Sequence, residues 1–254
     1  MTDVIKKISN KAWRLKSGNP TAFNEFTLKL EDIDKQKYAG RCADIFFAND
    51  KEAVFKWLHY LPIYDRILGK YAGQPIRFLE IGVFRGGSMN LWREFFGQQA
   101  TIFGVDIDPA CAAFDGISGQ VRIGSQDDPA FLRRVVEEMG GVDVVLDDGS
   151  HVASHQRASF DALFPLLSDG GLYLIEDLHT AYWPSYEGGV GRSGTGIEFL
   201  KDKVDAMHRH YFTPGVNQSD KIVPIESIQF FDSIAVVEKK VQQPRGCVLV
   251  PPAS

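Results

Sequence analysis

The stretch VVLDDGSH, Val144 to His151, ends an aliphatic run in two adjacent carboxylates, a Gly-Ser turn and an imidazole. A second aliphatic run, Leu172 to Ile175, ends in Glu176 and Asp177. If both runs are parallel strands of one sheet, Asp148, His151, Glu176 and Asp177 open on the same edge. Acids held together repel unless a positive charge lies among them, and a hard divalent cation is the simplest neutraliser. Asp148, Glu176 and Asp177 are thus the expected ligands; an oxygen-rich set favours Mg²⁺, with Mn²⁺ also compatible. Such an ion acidifies a hydroxyl, and His151, three residues past Asp148, is spaced to remove the proton. The competing reading makes these acids helix caps and turn residues. Two adjacent strand ends carrying acids favour the ion.

A glycine turn lies upstream, in FLEIGVFRGGSMNLW (residues 78–92). Gly82, Gly86 and Gly87 allow close backbone approach, and a helix starting near Ser88 offers unpaired N–H groups to an anion. The pattern is not G-x-G-x-x-G, and Glu80 would repel a pyrophosphate while attracting an ammonium. S-adenosylmethionine carries both an ammonium and a carboxylate, which suits Glu80, Gly82 and Ser88. The next run ends at Asp106, spaced to accept hydrogen bonds from ribose hydroxyls, and the third ends in Ser125 and Gln126, able to frame an adenine. Asp147 joins this cofactor set, on the opposite face of the extended segment from Asp148. Taken singly, a glycine turn is only a tight turn and Asp106 a cap; three strand ends in order point to a nucleoside cofactor.

Beyond Asp177, HTAYWPSYEGGVGRSGTG (residues 179–196) mixes aromatic residues with five glycines. It reads either as a surface loop or as a lid contacting a substrate through His179, Tyr182, Trp183, Tyr186 and Arg192. His155, His208 and His210 read as surface or packing histidines.

These residues need a scaffold. Aliphatic runs at 76–81, 101–106, 120–124, 142–147 and 172–177 alternate with helix-like stretches from Ser88, Asp128 and Ser154, which predicts parallel βαβ units. A stripe of Ile197, Leu200, Val204, Met207 and Tyr211 predicts another helix. IESIQFFDSIAVVEKK then predicts an antiparallel hairpin turning near Asp232 and Ser233. Residues 1–70 read as a helical lid or oligomerisation segment, broken at Pro62, with residues 71–254 as the main domain.

Composition narrows the partners. The 254 residues carry a net charge of −5, with basic residues dispersed, so neither nucleic acid nor an anionic membrane is an expected partner. Cys42, Cys111 and Cys247 are too far apart for a disulfide framework or a thiolate zinc site. No apolar run is long enough for a signal or membrane segment, so a cytoplasmic protein is expected.

With the residues assembled, Glu80-x-Gly82, Ser88, Asp106, Ser125-Gln126, Asp148 and Glu176-Asp177 resemble the class I, metal-dependent S-adenosylmethionine O-methyltransferases. GVDIDPACAAF and GSQDD resemble catechol O-methyltransferase, whose base also follows a metal-binding aspartate by three residues. LDDGSHVASHQ, LIEDLHTAYW and DSIAVVEKK resemble the macrolide deoxysugar O-methyltransferases of the mycinamicin and tylosin pathways and the cephalosporin hydroxylase-like group. The resemblance covers about residues 50–240. It implies a Rossmann-like α/β sheet of seven strands, mostly parallel with an antiparallel C-terminal hairpin. It also implies Mg²⁺ on Asp148, Glu176 and Asp177, His151 as base, and a small sugar-containing acceptor methylated on a hydroxyl, in a homo-oligomer. The rivals are a metal-independent methyltransferase using His151 alone, a nicotinamide-dependent oxidoreductase, disfavoured by Glu80, and a non-catalytic scaffold.

Overall fold

The computed structural model describes residues 28–213, 224–241 and 246–250, the side chain of His210 excepted. The expected placement of His210 and the first 27 residues of the N-terminal segment therefore lie outside the described residues. Two compact units divide at Tyr38 and Ala39. The described part of the first holds two short 3₁₀ turns, Leu30–Asp32 and Lys35–Tyr38. The second, from Ala39, contains everything that follows.

Its sheet has seven strands in the order β3-β2-β1-β4-β5-β7-β6. They are β1 (Arg77–Ile81), β2 (Thr101–Asp106), β3 (Gln120–Ile123), β4 (Val142–Asp147), β5 (Leu167–Ile175), β6 (Ile225–Phe230) and β7 (Ala235–Lys239). β1 to β5 are parallel, while β7 runs antiparallel to both β5 and β6. The expected mostly parallel sheet with a C-terminal hairpin is therefore present. Chain order reverses between β1 and β4, so the cleft beyond their carboxyl ends is the topological switch point where such sheets take ligands.

Among the described residues six α-helices surround the sheet: α1 (Arg41–Phe47), α2 (Tyr60–Leu68), α3 (Gly87–Phe96), α4 (Pro129–Met139), α5 (Ala153–Leu163) and α6 (Gly196–His208). Alternation along β1 decides which helices cover which face. Leu79 and Ile81 join a buried cluster with Leu132, Phe160, Leu163 and Leu200 from α4, α5 and α6. Phe78 faces the other way, onto Trp92 and Phe96 of α3. Helix α4 shows how locally its sequence dictates its ends. The Asp128 carboxylate accepts from the N–H groups of Ala130 and Phe131, Pro129 presets the first turn, and Gly140 closes the helix at φ 75°. Between those ends, Leu132, Val135, Val136 and Met139 recur at helical spacing and are buried; each contributes about 1.5–3 kcal/mol by leaving water.

Two expectations are corrected. Pro62 does not break a helix; it lies in the first turn of α2, where its missing N–H costs nothing. Tyr211 does not complete the α6 stripe, because α6 ends at His208 and Tyr211 is exposed.

Candidate active site

The turn after β1 is forced by crowding. Gly82 has φ 99°, and a Cβ there would lie 2.2 Å from the carbonyl oxygen of Asp148. The Asp106 carboxylate, at the end of β2, accepts from the N–H groups of Val83 and Phe84 at 3.0 and 2.9 Å and fastens the turn to the neighbouring strand. Helix α3 then starts at Gly87, and its Ser88 hydroxyl and Trp92 indole N–H donate to the two oxygens of Glu80 at 2.8 and 3.0 Å. Glu80 is fully buried, and burial pushes its carboxyl up to about 7, against the opposing pull of Lys56 and the two donors. Glu80 and Ser88 therefore order the turn together, and the Glu80 oxygens do not stand open to a ligand.

At the ends of β4 and β5 the acids converge, with a protein cation already among them. The Lys56 ammonium donates to Asp148 Oδ2 at 2.5 Å and to both Glu176 oxygens at 3.0 and 2.9 Å. The Lys56 side chain is 2% exposed. Burial alone would lower its pKa, but the carboxylates of Asp148, Glu176 and Glu80 outweigh that and hold it above the ordinary lysine range. Helix α2 adds two neutral donors: Tyr60 reaches Asp177 Oδ1 at 2.6 Å, and Tyr64 bonds Glu176 Oε1. Burial, reinforced by Asp148, pushes the Glu176 carboxyl well above the usual carboxylate range. The expected ligand Glu176 is thus enclosed, both oxygens committed to Lys56 and one also to Tyr64.

The open part of the cluster comprises Asp148, His151 and Asp177, each offering one atom within 4.8 Å of the others. His151 Nε2 lies 3.4 Å from Asp177 Oδ2 and 3.9 Å from Asp148 Oδ1. His151 and Asp177 both sit in the left-handed region, at φ 58° and 55°. Such backbone is uncommon outside glycine and concentrates at functional sites. One ammonium offsets three carboxylates here, so the donor set still suits a dication such as Mg²⁺.

The remaining expected residues divide. Asp147 points away from Asp148, as the alternation of an extended segment predicts, and lies in the interior, where it accepts from Gln126 Nε2 at 3.2 Å, Ser159 Oγ at 2.5 Å and Tyr173 OH at 2.9 Å. A cofactor contact is not open to it. Gln126 is buried and also accepts from the N–H of Ser150 at 2.6 Å, clamping the β4 turn. Ser125 is half-buried and its hydroxyl bonds Asp127. His155 meets the Ser150 hydroxyl at 2.9 Å.

In the 179–196 loop, His179 Nδ1 meets Ser233 Oγ at 2.6 Å. Ring contacts run from Trp57 through His179, Trp183 and Tyr186 to His151, at centroid spacings of 4.9 to 6.4 Å. Tyr182 is exposed, and Arg192 donates to the Gly188 carbonyl on the loop itself, so neither is drawn into this wall. Sequence reasoning missed Lys56, Trp57, Tyr60 and Tyr64. The only signal was in FKWLHYLPIY, where two tyrosines four apart share one helix face behind a lysine.

Residues 79–178 match a family model described as a methyltransferase domain. The chain carries a methyltransferase domain. The 8-demethyl-8-(2-methoxy-alpha-L-rhamnosyl)-tetracenomycin-C 3'-O-methyltransferase of Streptomyces olivaceus is 38% identical over 252 residues, covering 90% of this chain and 63% of that protein. Mycinamicin VI 2''-O-methyltransferase of Micromonospora griseorubida is 38% identical over 198 residues, 73% of this chain and 49% of that protein. Among solved structures, MycE methyltransferase from the mycinamycin biosynthetic pathway, in complex with Mg and SAH, is 38% identical with a TM-score of 0.68. That match covers 73% of this chain and 50% of the other. The chain thus spans about half to two thirds of the length of these relatives. The methyltransferase domain match runs from β1 through the acids after β5, and so includes every carboxylate of the cluster. No helix among the described residues is long and apolar enough to cross a membrane.

Proposed function

We propose that this chain is an S-adenosylmethionine-dependent, Mg²⁺-dependent O-methyltransferase acting on a hydroxyl of a deoxysugar, within a glycosylated natural product or polysaccharide. The observation that carries the reading is the convergence of Asp148, His151 and Asp177 at the switch point, beside the Gly82 turn. The names of the relatives, which are sugar O-methyltransferases, and the Mg and SAH bound in the similar structure support it.

When bound, S-adenosylmethionine supplies an electrophilic methyl group, and a divalent cation on Asp148 and Asp177 supplies the charge that acidifies an acceptor hydroxyl. The protein does the rest. His151 Nε2 takes the hydroxyl proton, and the imidazolium so formed lies beside Asp177 and Asp148, whose charges stabilise it. Tyr60 holds Asp177 Oδ1, which leaves Oδ2 toward His151. Gly82 and the Asp106-pinned turn form the floor on which the cofactor would lie, with the Trp183–Tyr186 wall beside the acceptor.

The test is transfer of a labelled methyl group from S-adenosylmethionine to a panel of deoxysugar glycosides, with and without exhaustive chelation. Transfer that stops on chelation and returns with Mg²⁺ is expected; transfer surviving chelation removes the metal. In calorimetry S-adenosylhomocysteine should bind and NAD(P)H should not. His151→Ala should abolish turnover while leaving S-adenosylhomocysteine affinity within about threefold, and a variant that still turns over removes the base.

A further inference from the structure

The aromatic wall beside His151 carries a hydrogen-bonding group that the chemistry above leaves unused. His179 is held twice by one hydroxyl: its backbone N–H donates to Ser233 Oγ at 3.2 Å, and its Nδ1 meets the same oxygen at 2.6 Å. Ser233, in the turn between β6 and β7, is tied back in return, its carbonyl accepting from the N–H of Leu178 at 3.0 Å. Trp57 and Trp183 both meet the imidazole in T-shaped contacts, at 5.3 and 4.9 Å between centroids. The far side of this wall is fastened too. Glu187 accepts from the N–H and the hydroxyl of Ser154, in the first turn of α5, at 2.9 and 3.1 Å. Gly188 packs so closely on Trp183 that a Cβ there would lie 2.5 Å from its backbone nitrogen. The imidazole is therefore oriented before any acceptor arrives. With Nδ1 committed, Nε2 is the ring nitrogen left, on a side chain that is 24% exposed. His151 Nε2 and His179 Nδ1 lie 3.4 and 4.0 Å from the two oxygens of Asp177. The two imidazoles thus flank one carboxylate, and a single sugar can meet both.

We propose that His179 selects which hydroxyl of the acceptor is methylated: its Nε2 hydrogen-bonds a second hydroxyl of the sugar, one that is not methylated, while Trp57 and Trp183 pack on the sugar's C–H surface. This rests on the deoxysugar reading above and deepens it. The hydroxyls of one sugar are chemically alike, so a base that removes a proton cannot by itself choose among them. A fixed hydrogen bond at a second position does choose, because it sets the register of the ring against the base. The aromatic surround keeps competing water from Nε2, which raises the penalty for an analogue that leaves this nitrogen without a partner. Tyr182 and Arg192 take no part, the one being exposed and the other turned to Gly188.

The test compares the full-length wild type with His179→Phe, which keeps an aromatic ring between the two tryptophans and deletes both nitrogens. The probes are the best-transferred deoxysugar glycoside of the panel above and its singly deoxygenated forms, each retaining the hydroxyl that is methylated. In the wild type one of these forms should lose about tenfold or more in kcat/KM. In His179→Phe the parent glycoside should fall to the level of that form, chiefly through KM, with the penalties at the other positions unchanged. S-adenosylhomocysteine affinity, measured by calorimetry, should stay within about threefold and shows the variant to be folded; should it not fold, His179→Leu takes its place under the same expectation. An unchanged pattern of penalties in the variant would overturn the proposal. So would an equal fall in kcat for every glycoside, the mark of a residue that only holds the loop. A wild type that transfers methyl to no glycoside refutes the function proposed above together with this inference, whereas transfer with the same penalties in both proteins refutes this inference alone.

Discussion

Replacing Glu80 by Gln isolates the electrostatic cost of the buried turn. Glu80 is wholly enclosed, and its carboxyl is pushed from its ordinary 4.5 to about 7 by burial, despite Lys56, Trp92 and Ser88. At about 1.4 kcal/mol per tenfold in proton affinity, that displacement corresponds to about 3 kcal/mol. The sign follows from which state holds the proton. Below about 4.5 both folded and unfolded chains are protonated at this site, and Glu80 costs nothing. Between about 4.5 and 7 the unfolded chain releases its proton first, so folding stability falls with rising pH and levels off above about 7. Gln cannot ionise; its carbonyl can keep the Trp92 bond while its amide donates to the Ser88 hydroxyl. Urea unfolding followed by far-ultraviolet circular dichroism, repeated from pH 4.5 to 8, should therefore show the variant gaining on the wild type by up to about 3 kcal/mol across that window. Parallel stability profiles for the two proteins would refute the reasoning, because Glu80 would then be ionised at little cost and Lys56 would be compensating it fully.

Other perturbations have equally definite outcomes. Asp148→Asn should abolish Mn²⁺ binding and lower stability by up to about 3 kcal/mol in denaturant titration, because it removes one of two charged partners from buried Lys56; wild-type stability would show that relief of repulsion dominates instead. Gly82→Ala meets both a positive φ and a backbone oxygen 2.2 Å away, so its thermal midpoint should fall by roughly 6–12 °C for a cost of about 3 kcal/mol, and an unchanged melt would contradict the turn geometry. Tyr64→Phe should cost about 1–3 kcal/mol by leaving buried Glu176 without its phenolic donor, with Tyr71→Phe, whose hydroxyl only approaches a carbonyl at 3.4 Å, as the near-neutral control.

Much of the scaffold was legible because its signals are local. Thr101–Asp106 and Val142–Asp147 are aliphatic runs whose ends coincide with the strands, and Asp128-Pro129 marks the start of α4 to the residue. Acids at strand ends were legible for the same reason: parallel strands bring their carboxyl ends to one edge whatever lies between them. Orientation was legible only in part: the pleat predicts that Asp147 and Asp148 face opposite ways, but not what each one meets. Asp147 and Asp148 are adjacent and identical, yet one is spent on Ser159, Tyr173 and Gln126 and the other faces the cleft, a distinction set by the pleat and by partners distant in sequence. Lys56 was invisible for a deeper reason. It lies in a stretch without regular structure, 120 residues from Glu176, and only the docking of α2 against the strand ends brings the two together. A sequence shows which charges need balancing far more readily than it shows what balances them.

The clasp made by Lys56, Tyr60 and Tyr64 imposes an order in time on the nascent chain. The lysine leaves the ribosome 120 residues ahead of Glu176, an interval of about 6–24 s at ordinary rates of synthesis. Asp148 follows Lys56 by 92 residues, so the ammonium has no acid of the cluster to hold until β4 is complete, and Glu176 comes later still. The site can therefore close only once β5 has been made, and its closing joins α2 and the segment before it to the ends of β4 and β5.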